Sequence, residues 1–146
     1  MEDLLFRELE PDDYHRGYIE LMRANFPNYD YQVNYDNFGD YLIQTQNSVK
    51  IMVLYNQNQR RVIGAGTLFI LPKIHNYSVG QIEDVVVDNQ YRGLHLGQRI
   101  IEILVNIGMN DFHCYKIILN CLDENIGFYE KCGFDVVGSS MRYVQL

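Results

Sequence analysis

Apolar and polar positions along the chain switch repeatedly between a period of two and a period near 3.6. Residues 4–9 form a short apolar run that reads as a strand. Pro11, Asp12 and Asp13 then supply a proline and two acids suited to the first turn of a helix carrying Tyr14, Tyr18 and Leu21, which closes near Asn25-Phe26-Pro27. The spacing of Tyr31, Tyr35, Phe38, Tyr41 and Leu42 predicts a second helix over 31–46, with Gly39 as its weak point. Residues 50–55 and 61–71 are strand-like runs on either side of Asn56-Gln57-Asn58-Gln59, so an antiparallel hairpin is expected.

After a loop holding Lys73, His75 and Tyr77, residues 81–87 predict a buried strand in which two acids precede three valines. The turn 88–97 leads into a helix whose Leu96, Ile100, Ile103, Leu104 and Ile107 form one apolar stripe. Residues 115–121 read as another buried strand, 125–131 as a short helix stopped by Gly133, and 134–146 as one or two terminal strands. The order βααβββαβαβ is mixed α/β, and the strand–helix–strand segment 81–121 should be a right-handed crossover. No repeat or linker interrupts it, and 146 residues suit one domain over 1–146.

Composition narrows the function. A hydrophobic share of 47%, with 12 Tyr and 7 Phe, excludes intrinsic disorder. The net charge of −7 opposes a general affinity for nucleic acid or anionic membrane, so any anionic ligand must meet a local basic cluster. No apolar run approaches the roughly 20 residues a bilayer requires. Met1-Glu2-Asp3 lacks the basic and apolar regions of a signal peptide. Cys114, Cys121 and Cys132 are an odd set without close metal-ligand spacing; free thiols and no metal are expected, with Cys121 in the core and the chain in the cytoplasm.

Arg92-Gly93-Leu94-His95-Leu96-Gly97 lies between the Val-rich strand and the amphipathic helix, where unpaired backbone N–H groups and the helix dipole favour a bound pyrophosphate. A tight connection alone would also explain two glycines there. The Walker and dinucleotide patterns both fail, because no Gly-Lys-Ser/Thr follows and His95 occupies the third position.

That loop, with Ile82-Glu83-Asp84-Val85-Val86-Val87 before it and Cys114-Tyr115-Lys116-Ile117-Ile118-Leu119 and Asn125-Ile126-Gly127-Phe128-Tyr129-Glu130-Lys131-Cys132-Gly133-Phe134 after it, resembles the GNAT acetyltransferase superfamily. Within it the similarity is to the branch acting on amino-sugar phosphates, closely over about 80–134 and loosely elsewhere. The resemblance implies a mixed, mostly antiparallel central sheet flanked by helices, acetyl-CoA as cosubstrate, glucosamine 6-phosphate as acceptor, and a homodimer. His95 departs from the family loop, which has Gly there; its N–H still donates, and the site survives if its φ is negative. Asn120 replaces a usual acid but keeps an acceptor.

Amide formation needs a neutral amine, a polarised thioester carbonyl and a proton for the thiolate. Adjacent strand residues face opposite sides, so one of Glu83 and Asp84 should point inward or into a cleft. The resemblance implies that the pair holds the amine and takes its proton. Backbone N–H groups near Val85, Val86 and Val87 would polarise the carbonyl where strand pairing opens. It further implies Tyr129 at the thiolate, and a cofactor surface of Arg92, Gly93, Leu94, His95, Leu96, Gly97, Gln98, Asn120 and Asn125. The sugar phosphate would meet Lys73, His75, Tyr115 and Lys116, with Asn25. A family Arg shared across the dimer falls at Val144 by counting, and Arg142 on the same strand face is its substitute here. A polyamine or protein amine as acceptor, or a non-catalytic acetyl-CoA-binding module, are the alternatives.

Overall fold

The computed structural model describes residues 3–27 and 32–145. The expected helix start at Tyr31, together with Met1, Glu2 and Leu146, lies outside them. Five strands form one sheet in the order β1-β2-β3-β4-β5: β1 Leu4–Glu8, β2 Val49–Asn56, β3 Arg61–Pro72, β4 Ser78–Val87 and β5 Cys114–Leu119. The first four pair antiparallel, and β4 pairs parallel with β5. A parallel pair needs a crossover, supplied by the helix α3, Leu96–Asp111.

The two faces of the sheet are covered differently. On one side α1, Tyr18–Asn25, and α2, Tyr35–Gln44, cover Val53, Val62, Ala65 and Val86. On the other, Ile100, Ile101 and Leu104 of α3 pack on Leu68, Ile70 and Ile82. That helix sits close: a Cβ on Gly66 would lie 2.6 Å from Ile100 and 2.9 Å from Leu104, and one on Gly108 would lie 2.7 Å from Ile117.

Four departures from the expected elements have local causes. The first helix is split: Pro11–His15 is a 3-10 turn, and α1 begins only after Gly17, whose φ of +91° breaks the ladder. Tertiary pairing accounts for this, since Val62 N–H donates to Arg16 O at 2.7 Å and pulls the chain onto β3. The second helix starts at Tyr35 because Asn34 and Asn37 cap each other, each side-chain oxygen accepting from the other's N–H at 2.9 and 2.8 Å. β5 is an edge strand rather than a buried one, with Tyr115 and Lys116 exposed. Beyond Phe134 no strand forms among the described residues; the tail that carries Arg142 is exposed, and no described strand pairs with it. The stop at Gly133 holds: it takes φ +96°, and Phe134 N–H and Gly133 N–H return to Tyr129 O and Glu130 O, both at 3.0 Å. This ends α4, Ile126–Lys131.

Near the N-terminus a fully buried Asp13 takes two hydrogen bonds from Arg7, at 2.8 and 2.9 Å, and one from Glu10 N–H at 2.8 Å. These contacts satisfy a charge that burial would otherwise make costly.

Candidate active site

The β3–β4 ladder changes register in the middle of β4. Ala65 pairs with Val86 but Thr67 pairs with Glu83, so Asp84 and Val85 together face the single residue Gly66. This is a β-bulge. Asp84 takes φ +54°, a left-handed conformation that aspartate adopts more readily than most residues. The extra residue reverses the alternation of faces. Ile82, Val85 and Val87 all pack on the α3 side, while Val86 packs on the α1–α2 side.

The bulge also separates the two acids. Glu83 is exposed, whereas Asp84 is partly buried and lines a cavity of about 440 Å³ beneath α2. Burial pushes the Asp84 carboxyl above the ordinary range, and burial followed by the Asp84 charge does the same to Glu83. Tyr41, across the cavity, is raised first by burial and then by Asp84.

One step away the sheet opens. The β4–β5 ladder ends at the pair Ile82–Leu119, so residues 83–87 have no partner on β5. The loop that follows is shaped by Asp88, which accepts from Gln90 N–H at 2.9 Å and pairs with Arg61 at 2.9 Å. Burial alone would raise its pKa; these donors hold it below the ordinary range. Gly93 takes φ +82° and His95 φ +59°, ψ 22°. The condition set for the loop, a negative φ at His95, is therefore not met. His95 adopts the left-handed conformation a glycine would take, at a cost of roughly 1–2 kcal/mol, so the loop keeps its path without the glycine. No side chain caps α3, which leaves the N–H groups of Leu96, Gly97 and Gln98 without a side-chain acceptor. Arg92 is held at the loop entrance: its Nη2 donates to Asn25 Oδ1 at 3.1 Å and its Nε to Val87 O at 3.4 Å.

Tyr129 of α4 is half-buried against the α3-side core and meets Phe128 and Phe134 edge-on, with ring centres 4.9 and 6.2 Å apart. Among the described residues its hydroxyl has no hydrogen-bond partner. Burial, then the neighbouring Cys121 and Cys132, raises its pKa. Asn120 and Asn125 are exposed beside the end of β5 and the start of α4. Cys121 is exposed too, not in the core, because the chain has left the sheet after Leu119. All three cysteines are free.

A second group gathers at the far end of β4 and β5. The His75 ring lies 5.4 Å from that of Tyr115 and 6.0 Å from that of Tyr77, and Lys116 Nζ is 5.6 Å from the Tyr115 ring centre. Lys73 is exposed on the same connection. Lys116 stands opposite Val79, four positions before Glu83, or roughly 13 Å along the strand. The acids thus lie in the middle of β4 and the cations around its start, and no described contact joins Arg142 to either group.

Two features escape the pattern of apolar and polar positions. Tyr41 reaches Asp84 from α2 and reads in sequence as one more core aromatic. The tether from Asn25 to Arg92 spans 67 positions and has no local signal. The bulge had a faint one in Gly64-Ala65-Gly66, since glycines inside a strand often mark a bulge or a close approach.

The model of the "Acetyltransferase (GNAT) family" matches residues 7–134. The chain is 37% identical over 150 residues to glucosamine 6-phosphate N-acetyltransferase 1 of Dictyostelium discoideum, covering 96% of this chain and 90% of that one. To the Arabidopsis thaliana glucosamine 6-phosphate N-acetyltransferase it is 32% identical over 139 residues, covering 90% of each. The crystal structure of glucosamine-6-phosphate N-acetyltransferase from Arabidopsis thaliana superimposes with a TM-score of 0.88 over 97% of both chains at 30% identity. A Trypanosoma brucei acetyltransferase gives 0.88 at 32% identity, over 98% of this chain and 100% of the other.

Proposed function

Because the chain belongs to the GNAT acetyltransferase family, we propose that it is an acetyl-CoA-dependent N-acetyltransferase that acetylates the 2-amino group of D-glucosamine 6-phosphate, giving N-acetyl-D-glucosamine 6-phosphate and CoA. One observation carries the reading. The β4–β5 ladder ends at Ile82–Leu119, where the bulge at Asp84 presents two carboxylates with raised pKa values beside the gap. The relatives in Dictyostelium and Arabidopsis support the acceptor.

The residues present fit acetyl-CoA. Arg92 and the uncapped first turn of α3 offer a guanidinium and backbone donors to a pyrophosphate, drawn from Gly93, Leu94, His95, Leu96, Gly97 and Gln98. Asn120 and Asn125 flank the gap. When bound, acetyl-CoA supplies the activated acyl group. The carboxylates Glu83 and Asp84 hold the amino sugar and accept the ammonium proton; their raised pKa values suit the task of a base better than an ordinary carboxylate would. Backbone N–H groups near Val85, Val86 and Val87 polarise the thioester oxygen along the edge of β4 that β5 does not pair. Tyr129 donates its hydroxyl proton to the departing sulfur.

Lys73, His75, Tyr115 and Lys116 are the phosphate-side group, with Arg142 reaching in from a second copy, while Asn25, an acceptor-side residue by the resemblance, holds Arg92 at the cofactor loop. An exposed tail that carries Val136, Val137, Met141, Tyr143 and Val144, in a chain whose sheet ends at the edge strand β5, supports a homodimer in which that tail is covered. We further read residues 1–146 as one domain working in the cytoplasm, where three free thiols suit a reducing compartment, on a route to UDP-N-acetylglucosamine.

Thiol release measured with glucosamine 6-phosphate, glucosamine, spermidine and a peptide amine tests the reading. Preference for glucosamine 6-phosphate is expected. Preference for spermidine or the peptide would move the acceptor, and no release with any of them would leave only a binding module.

A further inference from the structure

The loop before α3 is held at its stem and open at its rim. Among the described residues, Gly93, Leu94 and His95 take part in no side-chain hydrogen bond or ion pair, and a Cβ on Gly93 would meet nothing within 4 Å. The stem belongs instead to a closed ring of hydrogen bonds that crosses to the β2–β3 hairpin. Asn56 Nδ2 donates to the Tyr91 hydroxyl at 2.8 Å, and Asn56 Oδ1 accepts from Gln59 N–H at 2.9 Å. Gln59 Oε1 accepts from Arg61 Nε at 2.9 Å, and Arg61 Nη1 donates to Asp88 Oδ2 at 2.9 Å. Tyr91 N–H then closes the ring by donating to Asp88 O at 2.9 Å.

Acetyl transfer uses none of these side chains, yet one of them is costly to bury. Asn56 is only 7% exposed at the end of β2, between Leu4 of β1 and Arg61 of β3. A buried amide is tolerated where it is hydrogen-bonded. Here one bond secures the hairpin turn and the other the loop stem. The Tyr91 ring packs on Leu54, Ile63 and Leu96, and Leu96 is the first residue of α3. Fixing the hydroxyl therefore fixes a ring that touches the start of that helix. Arg61 acts by charge, because it pairs an Asp88 carboxylate that would otherwise repel an anion at the loop entrance. We propose that Asn56 is a positioning residue for the cofactor: through Tyr91, with Arg61 and Asp88 completing the ring, it holds the loop stem so that the backbone donors of 93–98 face a pyrophosphate. This role rests on the use of acetyl-CoA proposed above.

Steady-state kinetics on the full chain test it, with glucosamine 6-phosphate and either acetyl-CoA or S-acetylpantetheine, which carries the thioester but no pyrophosphate. Asn56→Ala and Tyr91→Phe should each raise the KM for acetyl-CoA about three- to tenfold, the range of one hydrogen bond, with kcat within about twofold. For S-acetylpantetheine, kcat/KM should stay within about twofold of the parent. The double variant should do no more than either single one, since both remove the same bond. Tyr91→Phe keeps the ring and its packing, so it decides the matter even if Asn56→Ala fails to fold. Equal losses with both cosubstrates, additive losses in the double variant, or an unchanged KM for acetyl-CoA would overturn the proposal. Calorimetry with CoA separates it from the proposed function. A parent that binds CoA and a Tyr91→Phe variant that binds it equally well would overturn the positioning role alone, whereas a parent that does not bind CoA would overturn the use of acetyl-CoA and this role with it. Absence of glucosamine 6-phosphate turnover would overturn the acceptor, and the calorimetry would still decide Tyr91.

Discussion

Arg92 and Asn25 are joined across the molecule: the guanidinium at the entrance of the loop before α3 donates to the side-chain oxygen of the last residue of α1 at 3.1 Å, and the Asn25 amide donates in turn to Leu21 O at 2.9 Å. Both ends of the Asn25 amide are engaged within the chain. Asn25→Ala should therefore raise the KM for acetyl-CoA about three- to tenfold, the range of one charge-assisted hydrogen bond at an exposed site. A rise confined to the KM of the amino sugar would return Asn25 to the acceptor side.

Glu83→Gln and Asp84→Asn should each lower kcat by about 10²–10⁴-fold, as expected for a positioned base, with little change in acetyl-CoA affinity by calorimetry. Asp84→Asn should also raise Tm at neutral pH. Burial lifts the Asp84 pKa above its unfolded value, so the native state binds the extra proton and stability falls as pH rises from the ordinary carboxylate range through the folded pKa. The difference between variant and parent should close as pH is lowered through that window.

Tyr129→Phe should slow the chemical step in single-turnover measurements by about 10–10⁴-fold. The half-buried ring would keep its contacts with Phe128 and Phe134, so Tm should change little. An unchanged chemical rate would reduce Tyr129 to a packing residue.

Gly66→Ala places a methyl group 2.6 Å from Ile100 and 2.9 Å from Leu104. The expected loss is about 1–3 kcal/mol by chemical denaturation, the usual cost of overpacking. Because α3 presses on β3 opposite the bulge, kcat should fall along with stability.

Arg142→Ala should raise the KM for glucosamine 6-phosphate while leaving the KM for acetyl-CoA and the mass of the proposed dimer, read by light scattering, unchanged. The exposed position of Arg142 in the tail makes loss of stability an unsuitable explanation for such a result.

Most elements were legible because their signals are local. The stop at Gly133 needs only a left-handed residue, the hairpin only a polar turn, and α3 only its apolar stripe. What was not legible depends on pairing at a distance. Gly17 breaks the first helix because Arg16 bonds Val62, and the tail does not form strands because none of the described residues pairs with it. At the site, the adjacency of Glu83 and Asp84 already indicated that one would turn inward. Which one did so was decided by the bulge, a matter of register between two strands and not of either sequence alone. His95 shows the same limit, since a residue type cannot report its own φ.

The doubled position opposite Gly66 makes β4 sensitive to chain length in a way that its side chains do not suggest. Conservative replacement of Val85 or Val87 leaves every backbone group where it was. Removing one residue at position 84 or 85 would instead let the ladder close in register and carry the rest of the strand through half a turn, sending one valine set from the α3 side toward α1 and the next in the opposite direction. An exposed connection such as 56–60 can absorb a length change at little cost. Evolution of this region can therefore proceed by substitution but not by single-residue deletion, much as a coding frame tolerates point changes and not the loss of one base.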